Sequence, residues 1–245
     1  MRLNRYISAA GASSRRRGED IIRAGRVSVN EEVVADPARD IDPGRDRVAL
    51  DGRPLVLGGE KRYYVMNKPA GMVVSRGDTH GRPTVFDLLG PETRGVFPVG
   101  RLDKDTTGVL LFTDDGDLAH RLAHPSFGVE KVYRAEVEGS MDDADVREVE
   151  SGVKLDDGPT APARMRVLDA GPDVSIVDVV LREGRKREVR RMLAALGHPV
   201  RFLERLSFGG IAAEGLPAGD YRPLTGGEVC RLKRVTRDTP GEDVR

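Results

Sequence analysis

Tryptophan is absent from this sequence, and aromatic residues make up only 4% of it. That supply does not build a wall of aromatic stacking platforms. Cysteine is nearly absent as well. Cys230 stands alone, so no intramolecular disulfide and no Cys-x-x-Cys metal or redox motif exists, and a reducing, cytoplasmic compartment is the simple inference. No apolar run approaches the ~18 residues that cross a bilayer, so no membrane partner is expected. No G-x-G-x-x-G or Walker-type loop is present, and the serines lack a G-x-S-x-G setting, so neither a nucleotide cofactor nor a serine nucleophile is indicated. Net charge is missing too, since 40 Lys and Arg balance 40 Asp and Glu.

What is there is charge in segregated blocks. Residues 1–30 carry Arg2, Arg5, Arg15, Arg16, Arg17, Arg23 and Arg26 against only Glu19 and Asp20. Residues 182–205 are again strongly basic, whereas residues 142–157 are acidic. Neutral totals with basic patches suit a protein that meets phosphate on one face and stays soluble on the other, although ordinary solvated helix faces explain the charge equally well. A length of 245 residues, 38% of them hydrophobic, is enough for one large domain or a small one plus a medium one. The first 17 residues are Arg-rich and free of acids, superficially like a transit peptide, but they run without a break into patterned structure, so a folded N-terminus is expected.

Leu3, Tyr6, Ile7 and Ala10 form one helical stripe that Gly11 ends. Ser13 or Ser14 can cap a second helix carrying Ile21 and Ile22, closed by Gly25. Within it Gly18 costs about 1 kcal/mol relative to Ala. Val27 and Val29 then alternate as a strand, and the unit is complete by about Leu57, with Gly58-Gly59 as a linker. Arg15, Arg16 and Arg17 fall in the first turn of the second helix, where positive charge opposes the helix dipole by roughly 0.3–1 kcal/mol each. A phosphate partner would supply the missing negative charge; a screened, exposed Arg cluster is the plainer alternative. Beyond the linker, strand-like runs occur at 63–66, 109–113, 132–137, 164–168 and 175–181, and helical patterns at 84–89, 117–123, 142–150 and 187–196. The irregular order favours an α+β domain with a largely antiparallel sheet over a doubly wound one. Residues from Thr236 onward read as a polar, frayed tail.

The densest chemical candidate is Gly100-Arg-Leu-Asp103-Lys-Asp-Thr-Thr-Gly108, just before an apolar strand. A carboxylate in a Gly-framed loop can act as nucleophile or general base, and Arg101 and Lys104 favour its ionised form. Taken alone, a capped turn with local ion pairs explains the segment better. Asp103 and Asp105 also have the spacing of a metal-binding DxD, with Asp114 and Asp115 as further oxygen ligands, but a strand-to-helix turn accounts for the latter pair and no metal is expected. His120 and His124 are i, i+4 without an HExxH glutamate and read as surface histidines. In the second basic block Val189, Met192, Leu193 and Leu196 form an apolar helical stripe. Arg190 lies on its flank, able to reach a cleft, while Arg187 and Arg191 point toward solvent or phosphate.

Together these segments resemble one family. Arg101-Leu-Asp103 followed by Thr106-Thr-Gly108, Leu110-Leu111 and Thr113-Asp-Asp-Gly116 resembles the signature of RNA pseudouridine synthases, in particular the bacterial ribosomal RNA group that includes the small-subunit enzyme. Tyr64-Val-Met-Asn-Lys68-Pro-Ala-Gly71, Lys131-Val-Tyr133 and Glu183-Gly184 through Arg190-Arg-Met192 resemble its other motifs. The N-terminal unit is similar to the S4 RNA-binding domain, including Ser14-Arg15 and Gly25-Arg-Val-x-Val-Asn30, although Asn30-Glu31 stands where many such units have Asn-Gly. The resemblance implies a small S4-like α/β domain at 1–58, a catalytic domain at 61–236 on a mostly antiparallel mixed sheet, and a polar tail at 237–245.

It also implies roles. Asp103 is the essential carboxylate, as nucleophile or base. Tyr133 stacks on a flipped uracil, Arg190 pairs with Asp103 and helps position the nucleotide, and Arg101 shapes the same loop. Arg2, Arg5, Ser14, Arg15, Arg16, Arg17, Arg23, Arg26, Lys186, Arg187 and Arg191 are the expected RNA contacts. The reaction breaks N1–C1′, turns the base and forms C5–C1′, adding and losing nothing, so no cofactor is implied. The expected partner is ribosomal RNA or an assembling subunit, met by a monomeric enzyme. The segment 81–87 leans toward large-subunit RNA. The rival readings are an S4-type binding module without catalysis and a DxD-dependent glycosyl transferase; the first is weakened by the joint presence of Asp103, Tyr133 and Arg190, the second by the missing sugar-nucleotide loop.

Overall fold

The structure, a computed structural model, describes residues 1–13, 15–78 and 80–237; Ser14 and the tail from 238 lie outside them. The described chain divides into two compact units. One comprises Met1–Arg62 with Arg94–Val96 and Asp114–Gly116, the other the remainder.

In the first unit, α1 (Leu3–Ala9) and α2 (Arg15–Arg23) precede β1 (Val27–Val29), β2 (Glu32–Val33), β3 (Val48–Leu50) and β4 (Arg53–Leu55). The strands form an antiparallel sheet in the order β2-β1-β3-β4. The i, i+3, i+4 stripe does what its spacing dictates: Leu3, Tyr6 and Ile7 are buried with Ile22, Val27, Val29 and Val48. Gly18 has a packing reason. A Cβ there would lie 3.2 Å from Ser13 Oγ and 3.7 Å from the Asn4 carbonyl, so the residue that weakens α2 lets α1 approach it. Asn30 and Glu31 turn β1 into β2 with φ of 52° and 72°, and Glu31 takes by strain the left-handed backbone a glycine takes freely.

The second unit is built on one nine-stranded sheet. In chain order it contains β5 (Tyr63–Lys68), β6 (Phe97–Pro98), β7 (Thr107–Thr113), α3 (Gly116–Ala123), β8 (Lys131–Glu138), α4 (Asp143–Ser151), β9 (Lys154–Leu155) and β10 (Gly158–Pro159). There follow β11 (Arg164–Ala170), β12 (Val174–Leu181), α5 (Glu188–Ala195), β13 (Val200–Phe208), β14 (Ile211–Ala212), β15 (Tyr221–Pro223) and α6 (Gly226–Val235). Strand order is β11-β12-β8-β13-β7-β5-β15, with β14 on β13 and β6 on β7, and β9 and β10 form a separate hairpin. Every pairing is antiparallel except β13 with β7, so the expected mostly antiparallel mixed sheet is what forms.

That one parallel pair is a seam between two antiparallel halves. Each half has its own core. Ala135, Val137, Val177, Val179 and Leu203 pack with Val149 of α4 and Val189, Met192 and Leu193 of α5. Val65, Val109, Leu111 and Phe208 pack with Leu118 and Leu122 of α3 and Leu232 of α6.

The strand β13 and the helix α6 are not legible in the hydrophobic pattern. Thr236, expected at the start of a frayed tail, is 4% exposed and donates its hydroxyl hydrogen bond toward the Leu232 and Lys233 carbonyls at 3.2 and 3.1 Å, closing α6.

Candidate active site

Asp103 lies in the loop that enters β7 at the seam. The loop is fixed from beneath. Lys68 ends β5 with its side chain fully buried, and its ammonium donates to the carbonyls of Pro69, Lys104 and Thr106 at 2.9, 3.2 and 2.8 Å. Burial pushes that ammonium down to about 8, opposed by the nearby Asp105 and Asp103. The Gly71 N–H donates to the Lys104 carbonyl at 2.8 Å. Leu102 and Thr106 are buried on either side of Asp103 and leave its carboxylate half-exposed. Gly108 completes the entry. It has φ 94°, and a Cβ would meet the Arg205 carbonyl oxygen at 2.3 Å, so only glycine lets β7 and β13 close here.

The charged partner of Asp103 is Arg187, with Nη1 3.8 Å from Oδ2. Arg187 precedes α5 in a left-handed conformation, φ 52° and ψ 36°, which costs a residue with a Cβ roughly 1–2 kcal/mol. Arg190, expected to pair with Asp103, instead donates from Nη1 to the Val200 carbonyl at 3.0 Å, and its Nε is buried without a partner among the described residues. Burial and then repulsion from Arg187 lower its pKa, while Asp103 and Asp105 oppose the shift. Arg190 thus faces the same carboxylates without forming the ion pair. Tyr133 on β8 is half-buried against the core that α5 covers. It is in register with Arg205, which pairs with Gly108, so Tyr133 and the mouth of the Asp103 loop share one row of the sheet. Arg101 is exposed and, among the described residues, forms no ion pair or side-chain hydrogen bond.

A buried charged cluster lies next to this row, and the sequence patterns do not reveal it. Lys131 is 6% exposed, donates to the Val129 carbonyl at 3.0 Å and sits 5.2 Å from the Phe208 ring centroid. Burial, then repulsion from Arg205, pushes it down to about 8. Arg205 is 2% exposed and donates from Nε to the Val109 carbonyl at 2.7 Å. Glu188, 4% exposed, accepts the Arg185 N–H at 2.8 Å. Burial, reinforced by Glu183 as acceptor for its proton, pushes Glu188 up to about 7. A cavity of about 240 Å³ opens at the same seam, lined by Asn67, Gly108, Glu204, Arg205 and Glu214 among others. Among the described residues no three His, Cys, Asp or Glu side chains gather as a metal-ligand group.

Several of the remaining basic residues hold named partners, and others are exposed. Arg191 holds Asp157 through both terminal nitrogens, at 2.8 and 3.1 Å, and Arg185 caps the carbonyls of Gly158 and Pro159. Both therefore fasten the α5 entry to the β9–β10 hairpin. Lys186 is exposed. In the first unit, Arg26 is bidentate to Asp51, and Arg23 lies 3.5 Å from Glu19 and 3.8 Å from Asp20. Arg15, Arg16 and Arg17 occupy the first turn of α2, which contains no acid, and like Arg2 and Arg5 they are exposed. Ser14 is outside the described residues. His120 and His124 are exposed, with rings stacked at 5.2 Å.

Residues 62–195 match the family model for RNA pseudouridylate synthase, and residues 1–46 match the S4 domain model. The chain is 38% identical over 236 residues to the ribosomal large subunit pseudouridine synthase B of Bacillus subtilis, covering 96% of each protein. It is 40% identical over 247 residues to the protein of the same name from Escherichia coli, covering 98% of this chain and 84% of that one. A crystal structure of a pseudouridylate synthase superposes with a TM-score of 0.69 at 33% identity, over 95% of this chain and 99% of the other.

Proposed function

The chain belongs to the RNA pseudouridylate synthase family and carries an S4 domain, and from that premise we propose that it converts a specific uridine of ribosomal RNA to pseudouridine, with Asp103 as the reacting carboxylate. The observation that carries the assignment is the Asp103 loop. A half-exposed carboxylate is held on a loop pinned by buried Lys68, facing Arg187 and Arg190. A carboxylate fixed on a pinned loop between two cations is aimed as a nucleophile or a base requires. Large-subunit RNA is preferred, because the relatives from B. subtilis and E. coli carry large-subunit names.

In this reading the target uridine leaves its stack at a cost of a few kcal/mol. Tyr133 supplies the aromatic face for the flipped uracil, Arg190 orients the nucleotide, and Arg101, exposed beside Asp103, helps hold the base out. The N1–C1′ bond breaks, the uracil turns within the site, and C5–C1′ forms. Residues 1–58 serve as the RNA-binding domain and 61–236 as the catalytic one. Arg2, Arg5, Arg15, Arg16 and Arg17, all exposed, are the phosphate contacts of the first, and Lys186 and Arg187 those of the second. A monomer acting in the cytoplasm on free RNA or on an assembling subunit completes the reading.

The test uses unmodified large- and small-subunit RNA transcripts in EDTA, with pseudouridine mapped by chemical probing. Wild-type protein is expected to modify one uridine of the large-subunit RNA, and Asp103→Asn to lose about three orders of magnitude in rate. Product formed by Asp103→Asn at the wild-type rate would remove Asp103 from the centre. Modification confined to small-subunit RNA would overturn the preference, and binding without product on every transcript would favour a non-catalytic module.

A further inference from the structure

Asp103 must reach the nucleotide for the reaction to proceed, yet its carboxylate is met by Arg187. The backbone is arranged to make that contact. Arg187 accepts a left-handed conformation at the residue before α5. The next residue, buried Glu188, reaches back to the Arg185 N–H at 2.8 Å and closes the turn. Arg185 and Arg191 anchor its two sides to residues 157–159. Arg185 and Arg191 are thus fastened down, whereas the Arg187 side chain is 44% exposed and holds Asp103 by one long ionic contact of 3.8 Å. At that distance the pair lacks a hydrogen bond, and with both partners in partial contact with water it is weak. Behind it, Arg190 already faces Asp103 and Asp105 with a buried Nε that has no partner among the described residues.

We propose that Arg187 is an exchange residue: it holds Asp103 in the free enzyme and passes to a backbone phosphate of the bound RNA, releasing the carboxylate to the nucleotide. This rests on the reading of Asp103 as the reacting carboxylate. A phosphodiester competes well for the guanidinium, because it offers two oxygens to the planar fork and the contact releases counterions. With Arg187 gone, Arg190 remains as the fixed cation beside Asp103, relieved of the repulsion that lowers its own pKa.

The test is a binding cycle on a large-subunit RNA fragment, across a range of salt concentrations. The proteins are wild type, Arg187→Ala, Asp103→Asn and the double variant. Arg187→Ala is expected to bind about tenfold more weakly, with a salt slope shallower by about 0.7–0.9, one phosphate contact. Asp103→Asn is expected to tighten binding severalfold when Arg187 is present and much less when it is Ala, because only an ion pair lost on binding couples the two changes. Additive effects, or an unchanged slope in Arg187→Ala, would overturn the exchange. Arg187→Gly adopts the same backbone without strain and should bind as weakly as Ala; wild-type binding by Gly would make the turn, not the charge, responsible. Arg187→Lys should restore most of the slope. Pseudouridine formation by wild type on the same fragment keeps the two readings apart. Its absence removes the role of Asp103, whereas additivity with product formed removes only the exchange.

Discussion

Asp103, Tyr133, Arg190 and Lys68 all fall in motifs of the sequence, but what Lys68 touches is not written there. The structure buries it completely and gives its ammonium the carbonyls of Pro69 and, in the Asp103 loop, of Lys104 and Thr106. Glu188, in the first turn of α5, is buried rather than solvated. Burial raises its pKa to about 7 from an ordinary 4.5, with Glu183 accepting the proton. Between those values the folded state binds more protons than the unfolded state, so this group's contribution to stability falls as pH rises from about 4.5 to 7. Lys131, lowered to about 8, acts in the opposite sense but above that window. Urea midpoints at pH 5, 6, 7 and 8 should therefore show wild type losing stability relative to Glu188→Gln up to about pH 7, then running parallel to it. A constant difference between the two proteins would mean that Glu188 does not carry the proton.

The elements with clean periodicity, such as α1, β8 and β12, lie close to their expected places. The strand β13 escaped notice because its register with β8 shifts between Val200 and Phe202 and again between Arg205 and Ser207, which scrambles the alternation. The helix α6 starts with two glycines, which mask a capping box that is present: Glu228 N–H donates to Thr225 Oγ1 and the Glu228 carboxylate accepts the Thr225 N–H. The missed β13 turns out to be the strand that makes the seam, and Gly108 is its most sensitive point. Gly108→Ala places a methyl against the Arg205 carbonyl at a backbone angle that favours glycine. We expect a loss of about 3 kcal/mol or more in unfolding free energy, together with loss of pseudouridine formation. A variant with the wild-type melting temperature would mean that β7 and β13 are free to separate at that point.

Across the whole molecule, the segregated charge includes exposed cations at a helix turn and others committed to carboxylates. Arg15, Arg16 and Arg17 lie in a helix turn that contains no acid, whereas Arg191 is committed to Asp157. Alanine in place of Arg15, Arg16 and Arg17 should lower the salt slope of RNA binding by up to about 2–3. Arg191→Ala should instead loosen the hairpin contact with little effect on the slope. Equal slopes for wild type and the triple variant would reject phosphate contact by the α2 turn.

The sequence by itself determined the family and the two kinds of unit, and singled out Asp103 as the candidate carboxylate, because these are written in motifs of neighbouring residues and in 3.6- and 2-residue periods. Only the tertiary structure decided which cation meets Asp103. On the helical wheel Arg190 is the residue aimed at the cleft, but a left-handed backbone just before the helix redirects Arg187 onto the carboxylate and leaves Arg190 on the Val200 carbonyl. Helical spacing fixes where a side chain starts. The backbone angle at one residue, and the burial of the Lys and Glu beneath it, fix where the charge ends up.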